Sequence, residues 1–262
     1  MEPILLVAQD GPVTTLTLNR PERLNAFTQD LHRDLRAALA EAAANNQCRV
    51  VLITGAGRGF CAGQDLADRA VIPAGESQRR DLGASLESFY NPLVRAMRNL
   101  PKPIVVAVNG VAAGAGANFA LHGDIVLAAK SAKFIQAFIK IGLMPDAGGT
   151  WSLTHLLGEA RAKALAMTGE PLSATQAADW GLIWRVVEDE ALMVEAHTLA
   201  RTLAAQPSGA LAAIKSAIHA ASVNSLDAQL NVERDGQREI GKSDDYLEGV
   251  AAFLEKRAPK FG

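Results

Sequence analysis

Asp146 stands in the segment Gly142-Leu143-Met144-Pro145-Asp146-Ala147-Gly148-Gly149-Thr150, a glycine-rich turn with apolar residues just before it and a helix expected after it. A carboxylate that is partly desolvated yet faces helix-terminal N–H groups can be tuned to carry a proton between two carbons. The competing reading is that Asp146 caps a helix beginning at Ala147, which aspartate does well. Two further segments could supply the other half of such chemistry. Gly55-Ala56-Gly57-Arg58-Gly59-Phe60-Cys61-Ala62-Gly63 and Asn109-Gly110-Val111-Ala112-Ala113-Gly114-Ala115-Gly116-Ala117 are each rich in small residues, and each follows an apolar run of strand length. Missing side chains let backbone N–H groups approach a ligand, and a helix N-terminus adds positive potential, so two such turns can hold an oxyanion between them. For either segment alone, tight helix-to-strand packing is the better account of the glycines, and it is the occurrence of both after buried strands that favours a site.

These turns need a frame. Leu5 to Ala8 and Val13 to Leu18 are β-rich runs around the turn pair Asp10-Gly11. Thr28 can cap a helix whose Leu31, Leu35, Ala38, Leu39 and Ala42 form one apolar stripe. Val50 to Ile53, Ile104 to Val108 and Ile125 to Ala128 are continuous apolar runs, as strands covered on both faces require. A helix ends near Leu100, before Pro101 and Pro103, and Ala113 to Leu121 reads as helical. Asp65 to Ser85, with Pro73, Gly75 and Arg79-Arg80, reads as a surface loop or lid. From about Gly158 helices dominate, including Asp189 to Leu203 and Gly209 to Ala221, with Trp180 to Val187 as a short connecting element. The division expected is an α/β core over residues 1–195 and a helical region over 196–262.

Composition narrows the function. With 26 Lys+Arg against 28 Asp+Glu in 262 residues, no excess of positive charge points to nucleic acid. No apolar run reaches the ~18 residues of a membrane span, and no leader is evident at the start, so the chain reads as cytoplasmic with a small-molecule partner. Cys48 and Cys61 lack metal-ligand spacing and read as buried fillers. His32, His122, His155, His197 and His219 have no spaced partner, which favours surface or satisfied core roles. A GxGxxA match at Gly57, Gly59 and Ala62 invites a dinucleotide reading, but Glu76 to Asp81, where the ribose-binding acid belongs, has no strand before it. Asp244-Asp245 and Glu255-Lys256-Arg257 read as solvated helix faces.

Several segments together carry a resemblance. Asn19 to Ala26, Gly59 to Leu66, Pro101-Lys102-Pro103, Asn109-Gly110 with Gly114 to Gly116, Asp124, and Pro145 to Thr150 resemble the enoyl-CoA hydratase/isomerase, or crotonase, superfamily, in that family's order and over essentially the whole chain. The resemblance implies a spiral of ββα units followed by a helical trimerisation region, assembled as a homotrimer or homohexamer. It implies an acyl-CoA substrate, with coenzyme A as part of that substrate and no metal or redox cofactor. It places an oxyanion hole at the backbone N–H groups of Gln64 and Ala115, and coenzyme A contacts at Arg23, Leu24, Ala62, Gln64, Asp65 and Leu66. Donors preorganised for an enolate oxygen stabilise it more than the ground-state carbonyl.

One departure matters most. Where hydratases of this family carry two glutamates that handle water, this chain has Asn118 and Phe138. Neither is a carboxylate base, so hydration of an enoyl thioester is not expected. Asp146 replaces a residue that is usually glycine in hydratases, and a single carboxylate suffices for an isomerase. Gly59 to Leu66, Phe89 to Val94, Asn109 to Ala117, Pro145 to Trp151 and Trp180 to Trp184 are most similar to a branch of isomerases that rearrange a ring-epoxide arylacetyl thioester to a seven-membered oxepin thioester and move a double bond from the 3 to the 2 position. Tyr90, Asn118, Phe138 and Trp151 would then line an aryl-sized pocket. The alternatives are a hydratase with unusual catalytic residues, a non-catalytic acyl-CoA-binding subunit and a nicotinamide dehydrogenase.

Overall fold

The computed structural model describes residues 2–66 and 81–262. Most of the loop or lid expected over Asp65 to Ser85 therefore lies outside the described residues. Leu5–Asp10 (β1) and Val13–Leu18 (β2) form an antiparallel hairpin in which Leu5 pairs with Leu18 and Asp10 with Val13. Val50–Gly55 (β3), Ile104–Val108 (β5), Ile125–Ala129 (β7) and Arg185–Val187 (β10) extend it in parallel, in the order β1-β2-β3-β5-β7-β10. Every residue of β3 and β5 is buried, which is why both appear as unbroken apolar runs. Gln29–Ala44 (α1) starts where the Thr28 hydroxyl accepts from Leu31 N at 3.2 Å, and it buries the expected stripe together with His32.

A second sheet of four three-residue strands forms the opposite end of each repeating unit. Its order is Gly59–Cys61 (β4), Val111–Ala113 (β6), Lys133–Ile135 (β8) and Pro171–Ser173 (β9). Strand β6 corrects the helix expected from Ala113: Gly114, at φ 51° and ψ −127°, breaks the chain direction and the helix runs only over Ala115–Ala120 (α3). The crossing from main strand to short strand requires glycine, since a Cβ on Gly110 would stand 2.2 Å from Arg58 O. Asn109 ties the same crossing to its neighbour, accepting from Gly55 N and donating to Gly57 O. Strand, short strand and helix thus repeat as a spiral of ββα units, with Asn91–Asn99 (α2), α3 and Gly149–Thr168 (α4) as successive helices.

Helix α4 is kinked at Gly158 (φ 74°, ψ 167°), where the helical pattern was expected to take over. Beyond it, Ala174–Asp179 (α5) and β10 close the edge of the main sheet. Leu192–Ala204 (α6) lies across β2, β3, β5 and β7 and buries Leu192, Ala196, Ala200 and Ala204. The division expected at residue 195 falls inside this helix. Ser208–Ala221 (α7), Leu226–Ile240 (α8) and Asp244–Glu255 (α9) follow, and among them only Ala252 is buried. Cys48 and Cys61 are free and buried, and burial pushes the Cys61 thiol up to about 12. No described helix is long and apolar enough to cross a membrane.

Candidate active site

A cavity of about 210 Å³ gathers three separate stretches of chain. Ala62, Gly63, Gln64 and Leu66 come from the end of β4, and Gly114 and Ala115 from the start of α3. The rest of the wall is the 3-10 turn Ala137–Ile141 and the residues after it, through Leu143 to Asp146. Among the described lining residues Asp146 is the one carboxylate and Lys140 the one cation.

The first two stretches meet through their glycines. Gly63 has φ +89°, and a Cβ there would stand 2.8 Å from Ala113 O and 3.4 Å from Ala115 N. A Cβ on Gly116 would stand 2.2 Å from Cys61 O. The glycines pack the turns tightly, and that packing brings two backbone amides to one cavity. Buried Asn25 fixes the first turn, donating to Ala56 O and Gly59 O at 2.9 and 2.8 Å and accepting from Arg20 N at 2.8 Å. Phe27 N donates to Gly63 O and Asp65 N to Phe27 O, so the Gln64 amide lies between two rungs and joins neither. The N–H groups of Gln64 and Ala115 have no acceptor among the described residues. The Gln64 side chain is committed elsewhere: its Nε2 donates to Phe27 O, and its Oε1 accepts from the Tyr90 hydroxyl at 2.7 Å.

The third stretch is held from behind by α3. Ala147 and Gly148 are both left-handed (φ 48° and 74°), so α4 starts at Gly149 with Gly148 as its N-cap and without a side-chain cap. This overturns the capping role considered for Asp146, which lies two residues upstream of that N-cap. The Asp146 carbonyl accepts from Asn118 Nδ2 and from Gly149 N, both at 2.8 Å. Gln136 Nε2 in turn donates to Asn118 Oδ1 at 2.9 Å, and both amide side chains are buried. Gly149 must lack a Cβ, which would stand 2.1 Å from Asn118 Nδ2. His122 Nε2 lies 2.8 Å from Ala147 O, which can only accept, so Nε2 carries the hydrogen. Burial, with lesser help from Arg98, pushes the pKa of His122 down to about 4, so the ring is neutral at ordinary pH. Asp146 itself is half-buried.

Of the four residues expected around an aryl group, only Phe138 lines this cavity, its ring lying 3.7 Å from the Cβ position of Gly114. Asn118 stands behind the Asp146 turn. Tyr90 is buried beneath Gln64, edge-on to Phe27 and His32. Trp151 points away along α4, stacked on His155 at 4.0 Å beneath the Arg98 guanidinium. Among the expected coenzyme A contacts, Leu24 O accepts from Ala62 N at 2.9 Å, Leu66 is exposed at the rim, and Arg23 is exposed at the end of the turn Pro21–Arg23. The Asp65 carboxylate pairs with Arg20 at 2.8 Å. Lys140, Ile141 and Leu143 were not anticipated. Their sequence signal is Gly142, whose left-handed φ of 70° ends the 3-10 turn and sets these residues around the cavity. No group of three or more His, Cys, Asp or Glu able to hold a metal occurs among the described residues.

A family model described as enoyl-CoA hydratase/isomerase matches residues 8–262. The chain is 58% identical over 261 residues to a 1,2-epoxyphenylacetyl-CoA isomerase of Escherichia coli, covering all of this chain and 98% of that protein. It is 48% identical over 251 residues to a probable enoyl-CoA hydratase of Rhodobacter capsulatus, covering 95% of this chain and 94% of the other. A crystal structure of an enoyl-CoA hydratase from Bacillus anthracis superposes with a TM-score of 0.93 at 31% identity, over 99% of each chain.

Proposed function

The chain belongs to the enoyl-CoA hydratase/isomerase family and is an acyl-CoA isomerase, and we propose that it converts a ring-1,2-epoxyphenylacetyl thioester of coenzyme A to the oxepin thioester. The observation that carries this reading is a cavity lined, among the described residues, by one carboxylate, Asp146, and by two backbone N–H groups, of Gln64 and Ala115, that have no acceptor among those residues. In the proposed reaction the thioester oxygen accepts from both amides, and the Asp146 carboxylate removes a proton from the carbon next to the thioester. The negative charge moves to that oxygen, where preorganised donors favour the enolate over the ground state by a few kcal/mol each, on the order of 3. The strained ring opens to the seven-membered oxepin, and Asp146 returns the same proton at the far end of the conjugated system. The same acid moves a 3-enoyl double bond to the 2 position. Substrate and product have equal oxidation level, so the reaction requires no redox cofactor, and each proposed step draws only on Asp146 and the two amides. Phe138, where a hydratase places a glutamate, gives the cavity a dry apolar side.

Ala62, Gln64 and Leu66 line this cavity, and together with Arg23, Leu24 and Asp65 they are proposed to hold the coenzyme A part. The assembly is proposed to be a homotrimer or homohexamer, joined through residues 196–262 and working in the cytoplasm. Exposed Ile218, Leu226, Leu247 and Phe253 on α7 to α9 support that assembly. The test is product analysis with the aryl ring-epoxide thioester, 3-hexenoyl-CoA and crotonyl-CoA. Oxepin thioester and 2-hexenoyl-CoA are expected, with crotonyl-CoA hydrated at less than about a hundredth of the isomerisation rate. Dominant hydration would establish a hydratase instead, and tight binding without turnover a non-catalytic acyl-CoA-binding subunit.

A further inference from the structure

The turn that carries Gln64 is fastened from behind by the segment that begins at Arg20. Pro21 opens the turn Pro21–Arg23, and Leu24 and Asn25 are both left-handed, at φ 48° and 55°, so the chain reverses and brings Phe27 alongside Gln64. Non-glycine residues persist in that conformation where their surroundings hold them. Asn25 closes the reversal, its N donating to Arg20 O at 2.9 Å and its Oδ1 accepting from Arg20 N at 2.8 Å. The Arg20 guanidinium then spans both sides of the bridge. It donates through Nη1 to Ala26 O at 2.6 Å and through Nη2 to Asp65 Oδ2 at 2.8 Å. The side chains of this pair are only 15% and 11% exposed, so their charges act with little screening by water. Arg20 does not itself line the Asp146 cavity.

These contacts are in series. Ala26 O, which accepts from Arg20, belongs to the peptide unit whose N–H is that of Phe27. Phe27 N donates to Gly63 O at 2.7 Å, and Gly63 O belongs to the peptide unit whose N–H is that of Gln64. Both units are trans, so in each the carbonyl and the amide point in opposite directions. A cation therefore stands at one end of two hydrogen-bonded peptides. At the other end is the Gln64 N–H, which has no acceptor among the described residues. A cation on a carbonyl draws electron density along such a chain and makes each N–H a stronger donor, by roughly 10–30% per bond. The Asp65 carboxylate offsets part of that charge and lets the guanidinium stay buried.

We propose that Arg20 is a positioning residue for the oxyanion hole. Through the Ala26–Phe27 and Gly63–Gln64 peptides it aims the Gln64 N–H at the thioester oxygen and polarises it. The inference rests on the oxyanion-hole reading of Gln64 and Ala115, and its effect belongs to the step in which charge develops on that oxygen, not to ground-state binding.

The test is the absorption band of a bound conjugated thioester, cinnamoyl-CoA, measured on the native oligomer beside turnover of 3-hexenoyl-CoA. Hydrogen bonds to the thioester carbonyl move that band to longer wavelength, so wild type should show a red shift. Arg20→Gln should lose at least about half of the shift and about tenfold in kcat, less than the loss of a whole donor, with KM within about threefold. Arg20→Gln leaves Asp65 as an unpaired buried charge, so the double variant Arg20→Gln/Asp65→Asn, which leaves none, separates the relay from a folding defect and should lose the same share of the shift. Arg20→Lys, which keeps a cation, should retain more than about half of it. A full shift with kcat within about threefold of wild type in either neutral variant would overturn the relay and leave the oxyanion hole standing. Equal loss in Arg20→Lys and Arg20→Gln would also overturn it, since charge would then play no part. No red shift in wild type would remove the oxyanion hole and the relay together.

Discussion

The two sides of the Asp146 cavity are built by opposite means. On the side of Gln64 and Ala115 the proposed reactive groups are main-chain amides, and the glycines at 63 and 116 let one turn lie against the other. On the side of Asp146 the proposed reactive group is a side chain, and the residues around it, Asn118, Gln136 and His122, hold the backbone on which it rides. The difference inverts the usual expectation about substitution. Positions that supply a donor tolerate a changed side chain, whereas glycines with no chemistry of their own do not. On the acidic side everything depends on one carboxylate and the anchors of its turn.

The largest effect that would sharpen this contrast belongs to Gly63→Ala. Its methyl group would stand 2.8 Å from Ala113 O at a φ of +89°, so the two turns must separate and the paired donors lose their geometry. Turnover should fall about a hundredfold, the loss seen when one oxyanion donor is removed, with a smaller change in affinity for acetyl-CoA. Asn118→Ala should come next. It leaves buried Gln136 Nε2 without its acceptor and frees the Asp146 carbonyl, costing about 2 kcal/mol in a urea melt and about tenfold in kcat. Gln64→Ala keeps the amide and should cost less than about fivefold in kcat; a hundredfold loss would mean that the side chain, not the main chain, does the chemistry.

The smallest effect concerns the anchor His122. Its folded pKa of about 4 lies below the ordinary 6.5, so between those values the unfolded chain binds a proton that the native chain does not. Stability from this group is whole above pH 6.5 and is lost as pH falls toward 4, by at most about 3 kcal/mol and in practice less. Urea midpoints at pH 7.5 and about pH 4.5 should therefore converge in His122→Gln relative to wild type. Equal pH dependence in the two proteins would show that His122 titrates normally.

Much of this arrangement was legible in the residues because it rests on strong local signals. Val50 to Ile53 and Ile104 to Val108 could only be doubly covered strands, Thr28 announced its helix, and the three glycine-rich segments did converge on one cavity. The second sheet escaped notice because three residues, as in Val111–Ala113, show no periodicity. The start of α4 was misplaced because Ala147 adopts a left-handed φ that alanine rarely takes. Trp151 was misassigned because aromatic character says nothing about which side of a helix it faces. The work of Asn118 was hidden for a different reason: its partner is a backbone carbonyl 28 residues away.

The central claim is that one acid moves the proton, and Asp146→Asn tests it most directly. That variant keeps the shape of the side chain and the backbone bond to Asn118, so its melting temperature and its affinity for acetyl-CoA should stay close to wild type. Its turnover of 3-hexenoyl-CoA and of the aryl ring-epoxide thioester should fall at least about a hundredfold. Turnover within about threefold of wild type, in a protein that melts and binds normally, would contradict the account.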